Sequence, residues 1–352
     1  MELNLKQYKG KKVFITGHTG FKGAWLLLAL HQIGAQIKGY ALAPDNENGG
    51  YSVINGGELC ESIIADIRNK NLLVEEIVKF APDYIFHLAA QPLVRESYSN
   101  PSYTFDVNVL GTSYLLDAVK KLTNKCSVVI VTTDKVYENK EDGKPFKETD
   151  RLGGHDPYST SKACAEFVVE SYNKSFFLIQ DNLIINVATA RSGNVIGGGD
   201  FCKDRIIPDF VRALTLGEVL KIRNPDSVRP WQHVIEPIVG YLMLGLYLNQ
   251  INVKESLAYN FGPEKDDHLT VKELVDFAIN SWGSGSYEVI EEKILHEAGL
   301  LKLDITKIKE EIGWSPKLKA KEAIEKTFEW YKAADKVSVM NKQVSNYLGL
   351  QV

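Results

Sequence analysis

The chain has 352 residues, 44% of them hydrophobic and 24% charged, which suits one large or two interleaved globular domains. A net charge of −4, a pI near 6 and the lack of a basic block argue against a nucleic-acid partner, so an anionic ligand would be met by a few placed arginines and lysines. Four scattered cysteines, seven scattered histidines, no signal-like start and no bilayer-length apolar run predict a reduced cytoplasmic protein with no metal site and no membrane anchor.

The first predicted strand, "KVFIT" at 12–16, runs straight into "TGHTGFKG" at 16–23 and a helix over 22–33. Gly17, Gly20 and Gly23 are spaced GxxGxxG between strand and helix, where the backbone can approach a pyrophosphate and the helix N-terminus offers free N–H groups. This predicts a dinucleotide site. A second strand, "QIKGYAL" at 36–42, ends without the acidic residue that usually holds a ribose 2′-hydroxyl. NAD and NADP therefore both stay open, and Lys22 is available for a 2′-phosphate. A third strand precedes "ADIRN" at 65–69, where Asp66 can accept from adenine or cap the helix predicted over 70–80.

The strand "YIFHLAA" at 84–90 leaves Gln91 and Arg95 just past its carboxyl end, the edge at which ligands bind in such sheets. A helix over 105–121 carries Asn108, expected to order backbone near the next strand, "SVVIVTT" at 127–133. That strand runs into Thr133-Asp134-Lys135. In "DPYSTSK" (156–162), Asp156 suits a helix N-cap, Pro157 suits the first helical position, and Tyr158 and Lys162 share one helix face at i and i+4. An ammonium beside the phenol would lower the tyrosine pKa toward neutrality and allow it to take a proton from a hydroxyl.

A last strand of the first half, "LIINVATA" at 183–190, precedes a looser pattern. This includes a glycine-rich loop at 197–205, a turn-rich stretch at 222–234, helices over 270–281 and 318–334, and a turn at 311–317. The mostly unalternating Val/Ile strands, separated by helices, predict an α/β fold: a doubly wound parallel sheet of Rossmann type with a smaller C-terminal α/β lobe. The predicted division is 1–190, with a returning segment near 235–260, and 191–352 for the ligand lobe.

Together these elements resemble the extended short-chain dehydrogenase/reductases that act on nucleotide sugars, over nearly the whole chain. Within that family, "GHTGFKGAW", "HLAAQPLVR", "TTDKVYEN", "GGHDPYSTSK", "ARSGNVIGGGDFCKDRIIPD" and "IRNPDSVRPWQHVIEP" resemble the CDP-glucose 4,6-dehydratase branch. The resemblance implies NAD held by Gly17, His18, Gly20, Phe21, Lys22, Gly23, Asp66, Ile67, Ala89, Asn108, Tyr158 and Lys162. It also implies oxidation at C4 of the hexose, elimination of water across C5 and C6, and return of hydride to C6. By this analogy Tyr158 and Lys162 act at O4, Thr133 bonds nearby, Asp134 is the acid at C6, and Lys135 stands where the C5 base is expected. Lys135 can act there as a desolvated base or as a charged stabiliser of the enolate.

For a CDP-hexose, Arg205 and Arg229 are expected at the diphosphate, with Asn194, Gln91, Arg95 and His296 as further substrate contacts and Glu297 beside His296. A homodimer through the 105–121 and 157–174 helices is implied as well. Three alternatives stay open: a dehydratase of a GDP- or dTDP-hexose, a nucleotide-sugar 4-epimerase, and a dinucleotide sensor without catalysis.

Overall fold

In the computed structural model the described residues are 3–179, 185–290 and 300–350. Seven strands form one sheet: β1 (Lys12–Thr16), β2 (Gln36–Ala41), β3 (Glu61–Ile64), β4 (Tyr84–His87), β5 (Cys126–Thr133), β6 (Ile185–Ser192) and β7 (Leu257–Phe261). Their spatial order is β7-β6-β5-β4-β1-β2-β3, and every pairing is parallel. The order reverses between β1 and β4, which opens a crevice at the carboxyl ends of those strands.

Both faces of the sheet are covered, which explains the unalternating strands. Val128 and Ile130 of β5 face one apolar cluster with Phe14, Ile85 and Val187, while Val129 and Val131 face another with Trp25, Phe86 and Ala188. Helix α1 (Phe21–Ile33) is buried at Gly23–Leu30 because it lies between the sheet and the C-terminal helix Lys336–Leu348. It accordingly shows no polar face. On the other side, α2 (Lys70–Phe80) packs on α3 (Gly111–Val119), and α3 on α4 (Pro157–Tyr172).

Helix α5 (Ile235–Gln250) crosses β5 and β6, and β7 then adds to β6 as the edge strand. Beyond the sheet, the far lobe is held by short pairings. Val228–Arg229 pairs antiparallel with Leu269–Thr270, and Leu220–Ile222 runs parallel to Tyr287–Val289.

Some boundaries differ from expectation. β4 ends at His87; the Leu88 N–H still donates to the Thr16 carbonyl at 3.0 Å, and the Ala89 N–H donates to the Thr16 hydroxyl at 3.2 Å. The helix expected over 105–121 begins as Pro101–Phe105, passes through a π-helical turn at Asp106–Leu110, and continues as α3. Helices at Ile206–Leu216 and Lys336–Leu348 were not predicted. Among the described residues no helix is long and apolar enough to cross a membrane, no three side chains are grouped to hold a metal ion, and all four cysteines are free.

Candidate active site

One cavity of about 570 Å³ lies at the switch point, within the size range of small-molecule sites. Its near wall is the turn from β1 into α1. Gly17 has φ +77°, and a Cβ there would lie 2.7 Å from the Ala89 nitrogen; a Cβ on Gly23 would lie 2.0 Å from the Gly17 oxygen. Only glycine lets these backbones meet. Gly20, Phe21, Lys22 and Gly23 line the cavity at the first turn of α1, whose N–H groups have no helical acceptor of their own. Asp66, Ile67 and Ala89 complete this end. The Asp66 carboxylate is gripped by the Arg68 guanidinium (2.7–3.1 Å) and backbone N–H (2.8 Å), which hold its pKa below the usual value.

The middle of the cavity is lined by Thr133, Lys135, Tyr158 and Lys162. Asp156 caps α4 by accepting from Ser159 N at 2.9 Å, and Pro157 opens the helix, so Tyr158 and Lys162 face β5 as their spacing requires. Burial pushes the Tyr158 pKa up to about 12, aided by the Asp134 charge; the Thr133 hydrogen bond and Arg205 pull the other way. The expected depression by Lys162 is absent. Lys162 Nζ instead donates to the Val131 carbonyl at 3.1 Å, and burial lowers its own pKa to about 8 against the opposing charge of Glu166. Lys135 Nζ stands 3.8 Å from Asp134 Oδ1. Asp134 itself is 1% exposed and sits behind the wall, with Oδ1 accepting from Thr133 Oγ1 at 3.1 Å. Its Oδ2 has no hydrogen-bond partner and lies against Gly193, where a Cβ would come within 3.1 Å.

The far end is lined by Asn194, Arg205 and Arg229, with Trp231 as wall. Asn194 Oδ1 is buried without a hydrogen-bond partner, and Arg205 pairs with Asp200 at 2.8 Å.

Several predicted contacts lie elsewhere. The His18 ring turns away from the cavity toward β2 and β3. There Nε2 bonds Ser62 Oγ at 2.7 Å, Gly39 leaves room for the ring, and burial drops its pKa to about 4. Gln91 is consumed internally, bonding Thr104 and both polar groups of Leu93, so it is not a cavity side chain. Asn108 braces Gln91 N and O and Ser161 Oγ, and does not reach the cofactor end. Arg95 reaches Asp204 at 3.3 Å, and it is Asp204 that lines the cavity. Lys22 points not toward a 2′-phosphate but across the cleft to Ser192 Oγ (2.6 Å) and Tyr241 OH (3.3 Å). Burial lowers its pKa to about 7, with Arg205, Lys162 and Lys135 adding repulsion. His296 and Glu297 fall outside the described residues.

Ser192 and Tyr241 were missed, since no local spacing links them to the glycine loop. The chemistry of this donor set fits a dinucleotide beside a second anionic ligand. Glycine backbone and a helix N-terminus line one end of the cavity and arginines the other, with Tyr158 between them.

Comparison with known proteins agrees. The family model described as GDP-mannose 4,6 dehydratase matches residues 14–327. A CDP-glucose 4,6-dehydratase of Salmonella typhimurium is 42% identical over 348 residues, covering 97% of each chain. A CDP-paratose 2-epimerase of Salmonella typhi is 28% identical over 77% of this chain and 84% of that one. Among solved structures, a dTDP-glucose 4,6-dehydratase of Streptomyces venezuelae with NAD and TYD bound superposes with a TM-score of 0.78 at 24% identity, over 91% of this chain and 97% of the other, a likeness of fold. The chain therefore belongs to the GDP-mannose 4,6-dehydratase family of extended short-chain dehydrogenase/reductases.

Proposed function

We propose that this protein is an NAD-dependent 4,6-dehydratase that converts CDP-glucose to CDP-4-keto-6-deoxyglucose. The observation that carries the reaction class is the meeting of Thr133, Lys135, Tyr158 and Lys162 in one cavity with Asp134 directly behind them. An epimerase needs no acid and cation at the second position. The choice of CDP-glucose rests on the 42% identity to the Salmonella enzyme over 97% of both chains.

NAD, when bound along the glycine loop, supplies the oxidant for C4 and the hydride returned to C6. Tyr158 takes the proton of the C4 hydroxyl, with Thr133 bonded to the phenol to orient it. A phenol near pKa 12 is a poor base at neutral pH, so binding must bring positive charge close to it. Lys162, charged below about pH 8 and one turn along the same helix, is the group placed to do so. Once C4 is a ketone, the C5–H bond breaks to give the enolate, its proton passing to Lys135, or to water with Lys135 as an ammonium holding the enolate. As the enolate collapses, the C5–C6 double bond forms while the C6–O bond breaks, and the hydroxyl leaves as water with a proton from Asp134. Arg205 and Arg229 grip the diphosphate, with Asn194 beside them.

The same reading takes residues 1–190, with a returning segment near 235–260, as the cofactor unit and 191–352 as mainly the substrate lobe. It places the protein in the cytoplasm, which its four free cysteines support. Two copies would pair through the 105–121 and 157–174 helices, where Leu110 (44%), in the π-helical turn before α3, and Phe167 (52%), on α4, are exposed. A monomer by light scattering would remove that part.

The function is tested by mass spectrometry of the protein with CDP-glucose and with GDP-, UDP- and dTDP-hexoses, in deuterated water with NAD. Loss of one water with one deuterium gained at C5, from the CDP sugar alone, is the expected result. An unchanged mass with inverted C4 would make it an epimerase, and inert substrates throughout would leave a sensor.

A further inference from the structure

A buried polar chain behind the cavity wall has no part in the steps above. Glu166, one turn beyond Lys162 on α4, is 5% exposed. Its carboxylate accepts from Thr132 Oγ1 (2.6 Å), Thr189 Oγ1 (2.7 Å), and Arg191 Nε (3.0 Å) and Nη2 (2.9 Å). Arg191 Nη1 donates onward to Tyr137 OH at 2.9 Å and the Glu148 carbonyl at 3.1 Å. Tyr137 OH donates to Asn260 Oδ1 at 2.6 Å, and Asn260 Nδ2 donates to the Phe146 carbonyl at 2.9 Å. The Tyr137 ring lies flat on Phe146 (4.7 Å between centroids, 2° between planes) with the Arg191 guanidinium 5.0 Å from its centre.

A buried ion pair is a weak source of net stability, because desolvation offsets the attraction. What this one does have is geometry. Thr132 immediately precedes Thr133, and Tyr137 follows Lys135 by two residues, so both ends of the turn that carries Asp134 and Lys135 are tied into one network. The network joins α4, β5, β6 and β7. Glu166, Arg191 and Tyr137 do not line the cavity.

We propose that Glu166, Arg191 and Tyr137 are positioning residues that hold the Asp134–Lys135 turn in register for the elimination step. This rests on the dehydratase reading. It separates two halves of the reaction: oxidation at C4 depends on Tyr158 and Lys162, anchored on α4, while elimination depends on the turn the network clamps.

Tyr137→Phe removes a single oxygen and leaves the stack on Phe146. In this variant, with CDP-glucose and NAD in deuterated water, water loss and C5 deuteration should slow by roughly tenfold to a hundredfold, the range a displacement of about 1 Å produces. Single-turnover oxidation at C4 and KM should stay within about twofold of the parent. Glu166→Gln should slow elimination as well, and because the Glu166 charge opposes the lowering of the Lys162 pKa it should also move the pH profile of C4 oxidation to lower pH. Because the residues act as one unit, the double variant should lose little more than the worse single one.

A merely structural role would lower the folded fraction and both steps together, and that outcome overturns the proposal. So would unchanged elimination in Tyr137→Phe, or fully multiplicative losses in the double variant. If Glu166→Gln does not fold, Tyr137→Phe decides alone. If the unmodified protein leaves CDP-glucose untouched, the dehydratase reading fails first and this proposal falls with it; an active parent with an unaltered split sinks the positioning role only.

Discussion

The two ends of the cavity are built by different means. At the glycine loop, backbone meets backbone: Gly17 against Ala89, Gly23 against the Gly17 carbonyl, and a helix N-terminus facing the opening. In the middle and at the far end the walls are side chains, several of them ionisable and buried, brought from β5, α4 and the loops after β6. The first design tolerates changes of side-chain chemistry but not an added carbon. The second tolerates small shifts of backbone but not the loss of a functional group. Substitutions at the first end should therefore act on folding and cofactor binding, and those at the second on individual chemical steps.

The sharpest separation is expected at Tyr158. Tyr158→Phe should lower turnover by on the order of 10²–10⁴-fold while leaving nucleotide binding nearly intact. Titration calorimetry with CDP beside steady-state rates would check this, and normal turnover would remove Tyr158 from the chemistry. Lys135→Ala comes next. C4 oxidation should survive while elimination slows by about 10²-fold, seen as reduced cofactor accumulating in rapid-quench samples without loss of water. Parent-like product formation would return Lys135 to the surface.

At the backbone end, Gly23→Ala should destabilise the protein by about 1–3 kcal/mol and weaken NAD binding, because its Cβ would sit 2.0 Å from a carbonyl oxygen. Denaturant unfolding with and without NAD reads both effects. A stable variant with unaltered NAD affinity would break the distinction drawn here.

A smaller, pH-dependent effect follows from the buried lysines. Folded pKa values of about 7 for Lys22 and about 8 for Lys162 lie below their ordinary 10.5, so between those limits the unfolded chain binds more protons than the folded one. These two groups should make stability rise with pH from about 7 toward 10. Tyr158, raised to about 12, works in the opposite direction above pH 10. Lys22→Met should flatten the rise in unfolding midpoints, and an unchanged slope would count against the lowering of its pKa by burial. The mildest change is Asp156→Ala, which removes the cap from α4 and should cost about 1 kcal/mol with the ratio of chemical steps preserved.

The sequence by itself determined whatever depends on neighbours within a turn or a strand. β1, the glycine loop and α1 follow from a Val/Ile run, three spaced glycines and an apolar stretch, and the structure places them within a residue of expectation. The start of α4 was equally legible, since Asp156 and Pro157 mark it and the i, i+4 spacing puts Tyr158 and Lys162 on one side. Those signals are local, and local geometry is what helix and strand periodicity encodes.

Only the tertiary structure decided where side chains point once elements distant in the chain meet. His18 turns away from the cavity, against β2, because Gly39 leaves a space the size of its ring. Lys22 is drawn to a serine 170 residues away, and Lys162 spends its bond on the Val131 carbonyl rather than on Tyr158. Asn108 and Gln91 resemble ligand contacts in the sequence, but Asn108, in a π-helical turn, bonds the Gln91 backbone, and the Gln91 side chain bonds Leu93 and Thr104. Buried polar atoms must find partners wherever the fold supplies them. In this protein those partners come from strands and helices that adjoin only after the sheet is assembled.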